Sequence, residues 1–357
     1  MTPLSKNIAL AAAATVFTSV AVIATPSKSH GQPAGSNKNA GTGNAASMSH
    51  PSSEAKATPE SFVDALNFAF GKQTTQRATH AKGVVLIGKF TPSEQARNVS
   101  QAPHFQQGVP ITVRFSANTG MPKLADTAPL ASPRGMSIKF HLPDGTETDL
   151  VTHSYNGFPT KNADEQRLFF IAVGQSGPGV SSPTPIEQFM ATHPAAKAFL
   201  TSQDPPPVSY ATLSYFGVNS FKFTNAKGKA KFGRYQLIPE AGRHFLSADE
   251  ARRAAPEYLT DELRARIARG DARFRLVLQL AAAADKIDDP SIAWADSNEQ
   301  VSLGVLSISA FVPDSVATER GLLFLPGVLP VGIEAADPMI QFRSKTYPVS
   351  YERRQNP

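Results

Sequence analysis

Through the middle of the chain, apolar residues tend to fall at every second position. Val113 and Phe115 alternate with polar neighbours, as do Met136, Ile138 and Phe140, which is the period of a half-buried strand. Strands are predicted over 84–90, 110–116, 135–141 and 148–152, with Pro143-Asp144-Gly145 as the turn between the last two. Further strands are predicted over 220–224, 231–237, 273–280 and 301–311, and Asn225-Ala226-Lys227-Gly228 closes a hairpin between the first two. Helical spacing is rarer. Phe62, Leu66 and Phe70 recur every fourth residue behind Thr58 as cap and Pro59 at the first helical position, and Gly71 ends the run. Helices are also predicted over 185–192 and 260–269, the second ended by Gly270. There is no internal repeat. Mostly antiparallel strands with helices at the flanks predict an α+β domain built on a β-barrel or curled sheet.

The pattern is different before residue 58. One lysine precedes an unbroken run of apolar and small residues from Ile8 to Ala24, the layout of a bacterial-type secretory signal cut after Ala24. An uncleaved anchor is the alternative, since about 17 such residues approach the lower limit for a membrane span. Residues 25–57 are rich in Gly, Ala, Ser, Asn, Pro and Lys and have almost nothing to bury, so a disordered linker is expected there. A periplasmic location is the expectation, or a membrane-anchored one if the leader stays.

Composition narrows the chemistry. The 357 residues are 41% hydrophobic, enough for one large or two modest domains. The net charge of +6 is scattered rather than gathered in a tract, so it favours attraction of anionic groups and gives little reason to expect a nucleic-acid partner. With no cysteine, disulfides, thiolate metal sites and thiol nucleophiles are excluded, and redox chemistry needs a borrowed cofactor. No P-loop, no G-x-G-x-x-G after a strand and no G-x-S-x-G elbow is present.

Two short segments carry the candidate chemistry. Arg77-Ala78-Thr79-His80-Ala81-Lys82-Gly83 puts a histidine, the side chain best suited to proton transfer near neutral pH, at the mouth of a predicted strand. Far downstream, Arg343-Ser344-Lys345-Thr346-Tyr347 spaces an arginine four residues before a tyrosine, one face of a helix if the segment is helical. A free phenol titrates near 10, so a phenolate at neutral pH needs such a positive neighbour. Pro348 disfavours continued helix and places the pair near a helix end. His104, His141, His193 and His244 lack metal-ligand spacing and are expected to be structural or exposed.

These segments resemble the haem catalase superfamily, and further motifs follow in the same order. They are Val113-Arg114-Phe115-Ser116, Ala125-Asp126-Thr127, Ser132-Pro133-Arg134-Gly135 with Lys139-Phe140, Asn219-Ser220-Phe221-Lys222-Phe223, and Asp337-Pro338. The resemblance covers about residues 60–354 and implies that 58–357 form a catalase-like haem domain with an antiparallel barrel and flanking helices. The chain stops just after the last motif, so the C-terminal helical domain of full-length catalases is expected to be missing. An exported chain of this kind looks most like the catalase-related peroxidases.

The resemblance also implies roles. Tyr347 would ligate the iron of haem b, with Arg343 as its charge partner. His80 would be the acid–base for peroxide cleavage, with Ser116 orienting its imidazole. Arg77, Arg114 and Arg354 are the implied propionate partners, and Tyr351 takes a place where full-length catalases carry a histidine. Phe158 or Phe169 would stack on the porphyrin. One departure stands out. Where catalases carry a distal asparagine, this chain has His153, with Asn156 able to substitute only if the loop shifts. That loss weakens oxidation of a second peroxide to dioxygen and points to peroxidase use of an organic reductant. The implied partners are a small peroxide and that reductant, in a monomer or small homo-oligomer. Two other readings remain: haem-dependent rearrangement of fatty-acid hydroperoxides, and a non-enzymatic haem-binding protein.

Overall fold

A computed structural model describes residues 56–356. The expected leader, and all but the last two residues of the expected linker, lie outside the described residues. Eight antiparallel strands form a barrel: β1 (Gly83–Pro92), β2 (Val109–Ser116), β3 (Gly135–His141), β4 (Glu147–His153), β5 (Tyr215–Thr224), β6 (Ala230–Pro239), β7 (Ala272–Leu280) and β8 (Gln300–Phe311). Each pairs with the next, β8 returns to β1, and β4 meets β5 where His153 faces Phe216. A three-residue strand, β9 (Ile333–Ala335), adds to β5. Every predicted strand is present; the largest difference in extent is β5, which starts at Tyr215 rather than at 220.

The alternation explains the barrel. Val113, Phe115, Met136, Ile138 and Phe140 join Leu276 and Leu306 in one buried cluster. Each such side chain contributes about 1.5–3 kcal/mol when fully buried. Their odd-even partners on β2–β4 point outward, and on one side of the barrel helices cover them.

The helices that matter here are α1 (Pro59–Phe70), α2 (Ala163–Gly174), α3 (Pro185–Thr192), α4 (Pro194–Thr201), α5 (Tyr258–Ile267), α6 (Ser315–Gly321) and α7 (Pro338–Gln355). Three shorter ones, Glu94–Val99, Pro103–Gln106 and Ala248–Arg253, lie in connections between strands. Thr58 and Ser61 form a capping box on α1. Phe62 of α1 then meets Phe170 of α2 and Phe342 of α7 edge to face, at 5.7 and 5.4 Å between ring centres. Helix α2 went unseen in the sequence because its apolar run 168–173 lacks helical spacing, being packed from several sides.

The expectation that a helix ends beside Tyr347 is wrong. Helix α7 runs 18 residues straight through Pro348. An interior proline forfeits a backbone hydrogen bond and costs about 3 kcal/mol. Packing on both sides offsets it: Phe342 and Val349 lie against the α1 cluster, and Thr346 and Arg354 are buried. Among the described residues no helix is long and apolar enough to cross a membrane.

Candidate active site

Strand register builds the barrel side of a cavity. Gly83, Ser116, Gly135 and His153 face one another across β1–β4 in a single row, and Val85, Arg114, Ser137 and Val151 form the next row. Ser116 and His153 therefore stand on either side of a residue with no side chain. A Cβ at Gly135 would lie 2.5 Å from Ser116 Oγ and 2.9 Å from His80 Nδ1. The bare position makes room for the imidazole that bonds Ser116, with His80 Nδ1 3.0 Å from Ser116 Oγ. His80 itself adopts φ 54°, a region otherwise entered only by glycines among the described residues. That strain costs about 1–3 kcal/mol. It is held by the His80 N–H donating to Asn118 O (3.1 Å) and by Arg114 Nη2 donating to His80 O (2.7 Å).

Both histidines are neutral. Burial, with Arg114 and then His153 as positive or potentially positive neighbours, pushes His80 down to about 3. Burial first and Arg343 second push His153 down to about 3 as well. The Tyr155 N–H donates to His153 Nδ1 (3.4 Å), which leaves the ring proton on Nε2. That nitrogen is buried without a partner, and the residue lines the cavity. His153 is the last residue of β4 rather than part of a loop, and Asn156 does not line the cavity.

The opposite wall is helical. In α7, Arg343 Nε donates to the Tyr347 hydroxyl oxygen at 2.7 Å, the one-face geometry that the spacing predicted. Arg343 Nη1 donates to Asn219 Oδ1. Asn219 Nδ2 in turn donates to Asp337 Oδ2 (2.7 Å), whose other oxygen accepts the Met339 N–H (2.8 Å) and caps α7. Asp337 is buried, and burial raises it above the usual carboxylate range. The chain from Tyr347 to Asp337 fixes the guanidinium against the phenol oxygen.

The third feature is a rim of arginines. Arg77, Arg114 and Arg354 all line the cavity, and Arg114 and Arg354 are almost wholly buried. Gly83 lets Arg114 pass, since a Cβ there would overlap its guanidinium. Arg77 Nη2 and Arg354 Nη2 both donate to Leu322 O (2.5 and 2.7 Å). The Nε of each is buried without a partner. Burial and like-charge crowding lower Arg77 to about 9 and Arg354 to about 10, so both stay charged at neutral pH. Between the walls lies about 1520 Å³ of space free of protein atoms, open solvent at its mouth included, with Phe the most frequent lining residue and a mostly apolar surface.

Comparison with known proteins places this arrangement. The profile of the family described as Catalase matches residues 45–356. The chain belongs to the catalase family. Curated relatives include catalase-related peroxidases of Mycolicibacterium paratuberculosis, 36% identical over 83% of this chain and 95% of that one, and of Synechococcus elongatus, 33% identical over 83% and 88%. Among solved structures, a fungal catalase superposes with a TM-score of 0.71 at 22% identity, covering 80% of this chain and 61% of that one. Catalase A from Saccharomyces cerevisiae gives 0.70 at 19% identity, over 79% and 62%. The chain thus spans about three fifths of the length of these two structures.

Membership of the catalase family implies haem, and the cavity suits it. A flat aromatic ring would meet apolar walls, a tyrosine stands on the helical side, and three arginines line the cavity where carboxylates would need partners. The structure brings together His80, Ser116, His153, Arg77, Arg114, Phe158, Arg343, Tyr347 and Arg354 at this cavity, and Phe169 as well. Tyr351 does not line it; the ring stacks on Arg354 at 4.6 Å instead, one step behind the rim. The sequence reading gave no role to Asn219, though it named the motif that holds it, and it missed Glu319 entirely. The only sequence signal for Glu319 is an acidic residue beside Arg320, which any surface helix shows.

Proposed function

We propose that the chain is an exported haem b peroxidase that reduces hydrogen peroxide or organic hydroperoxides with an organic electron donor, and is a weak catalase at most. The observation that carries this reading is one cavity holding a neutral, serine-bonded histidine on one wall and an arginine-bonded tyrosine on the other. The names of the two catalase-related peroxidases agree with it. Export rests on the leader-like sequence before residue 25.

Tyr347 would hold the iron through its phenol oxygen, which accepts a hydrogen bond from the Arg343 guanidinium. Arg77, Arg114 and Arg354 would take the propionates. When bound, haem supplies the electrons and the iron for O–O cleavage. The chain supplies proton handling. With His80 Nδ1–H donating to Ser116 Oγ, the lone pair on Nε2 is free to take the peroxide proton and return it to the leaving oxygen. His153 also lines the cavity, and its Nε2–H, which has no partner in the protein, can hold a peroxide oxygen in place. Unlike an asparagine, an imidazole offers no carbonyl acceptor and fills the space differently, which is why dioxygen release is expected to be slow. Phe158 and Phe169 keep the walls dry.

The deciding experiment is the absorption spectrum of the purified protein before and after one equivalent of peroxide, with wild type beside His80→Ala and Tyr347→Phe. A ferric haem spectrum that changes rapidly, returns on adding a phenolic donor and releases little dioxygen supports the peroxidase. Peroxide loss with no donor consumed, and an isomeric product from a fatty-acid hydroperoxide, would instead identify a rearrangement enzyme. Tyr347→Phe should lose the wild-type haem spectrum. A protein that takes up no haem even after reconstitution overturns the reading.

A further inference from the structure

Three buried or half-buried arginines at one end of a cavity need a counter-charge even with nothing bound, because a guanidinium cannot shed its proton at neutral pH. The chain provides one. Both carboxylate oxygens of Glu319, on α6, accept from Arg114 Nε, at 2.6 and 2.8 Å, and one of them is 3.5 Å from Arg77 Nη2. Glu319 is itself 21% exposed and does not line the cavity, so it approaches the cluster from behind and leaves the cavity-facing side free. Arg77 and Arg354 line the cavity, and the Nε of each is without a hydrogen-bond partner in the protein. Three arginines and one glutamate leave a local charge of +2 (3 − 1), the complement of two carboxylates.

We propose that Glu319 is the resident counter-ion of the arginine rim, stabilising the empty site and limiting how tightly that site holds a dicarboxylate. The inference rests on the haem reading above and adds a residue with no predicted part in it. A fixed negative charge behind the arginines repels incoming carboxylates across a few ångströms of low-dielectric protein, while its bond to Arg114 keeps that side chain extended under the Gly83 backbone. Loading the site then trades one partial neutralisation for a complete one.

The test uses metal-free protoporphyrin IX, followed by fluorescence, against the apoprotein of the full chain at low and at high salt. Glu319→Gln keeps an acceptor for Arg114 Nε and removes the charge; Glu319→Ala removes both and guards against a folding failure of the first. At low salt either variant should bind the diacid about three- to tenfold more tightly than wild type, with a steeper salt dependence, as expected for one added positive charge. The dimethyl ester, which lacks the carboxylates, should bind wild type and variants alike. Melting of the variant apoprotein should fall below wild type. Equal or weaker diacid binding by a folded variant, or an equal gain for the ester, overturns the counter-ion role while leaving the haem reading intact. Failure of wild type to bind either porphyrin overturns both.

Discussion

The histidine wall and the arginine rim of the cavity bury ionisable side chains side by side, yet one is neutral and the other charged. His80 and His153 sit near 3, lowered first by burial and then by neighbouring charges, so both are discharged. A group that titrates ordinarily near 6.5 gives up its proton for little free energy at pH 7. Arg77 and Arg354 are lowered by the same burial, only to about 9 and 10, and so remain cations. They must be neutralised from outside, by Glu319 and by whatever carboxylates enter. One cavity thereby offers a proton acceptor at one place and an anion site at another.

Breaking the neutral side should have the largest effect. His80→Ala is expected to slow reaction with peroxide by about 10²–10⁴-fold, measured by stopped-flow absorption, with haem still bound. On the charged side, Arg77→Met removes a carboxylate partner. Diacid porphyrin should bind about ten- to a hundredfold more weakly, the worth of a charged hydrogen bond, and the dimethyl ester should be unaffected. A smaller effect is expected from Ser116→Ala. Losing the hydroxyl that orients His80 at 3.0 Å costs about 1 kcal/mol, or roughly fivefold in the peroxide rate. Haem content should not change.

His104 sharpens the contrast outside the site. Packed at tilted angles against Phe90, Phe105 and Phe140 and pushed down to about 3 by burial alone, it shows burial without a catalytic neighbour. Its folded value lies below its unfolded one, so the unfolded chain binds the extra proton as pH falls below about 6.5. Stability from this residue is full above that value and is lost between about pH 6 and 3. Unfolding free energies from denaturant titrations across that window should show a slope of up to about 1.4 kcal/mol per pH unit from His104. His104→Gln should remove that contribution, and a slope unchanged in the variant would contradict the assignment.

The barrel strands were legible because their alternation is strict: Val113/Phe115 and Met136/Ile138/Phe140 can face only one core. Helix α2, packed on several sides, carried no such pattern. The end expected at Pro348 failed because a local rule about proline was outweighed by packing along α7. At the site, residues borne by short motifs were found: His80, Ser116, Arg343 and Tyr347. Asn219 and Glu319 were given no role there. Asn219 matters because β5 brings it to Arg343, 124 residues away in the chain, and Glu319 because α6 brings it to Arg114, 205 residues away.

By itself, the sequence determined the alternation that makes the barrel, the four-residue spacing that sets Arg343 on Tyr347, and the lack of any thiol chemistry. Local rules suffice for these, since each depends on neighbours within one or two turns of helix or strand. Only the tertiary structure decided that Gly135 opens a space between Ser116 and His153, that His153 Nδ1 accepts from the Tyr155 N–H, and that Glu319 pairs with Arg114 beside Arg77. The first and last of those depend on strand register and on long-range electrostatics, and neither is written in any short window of the chain.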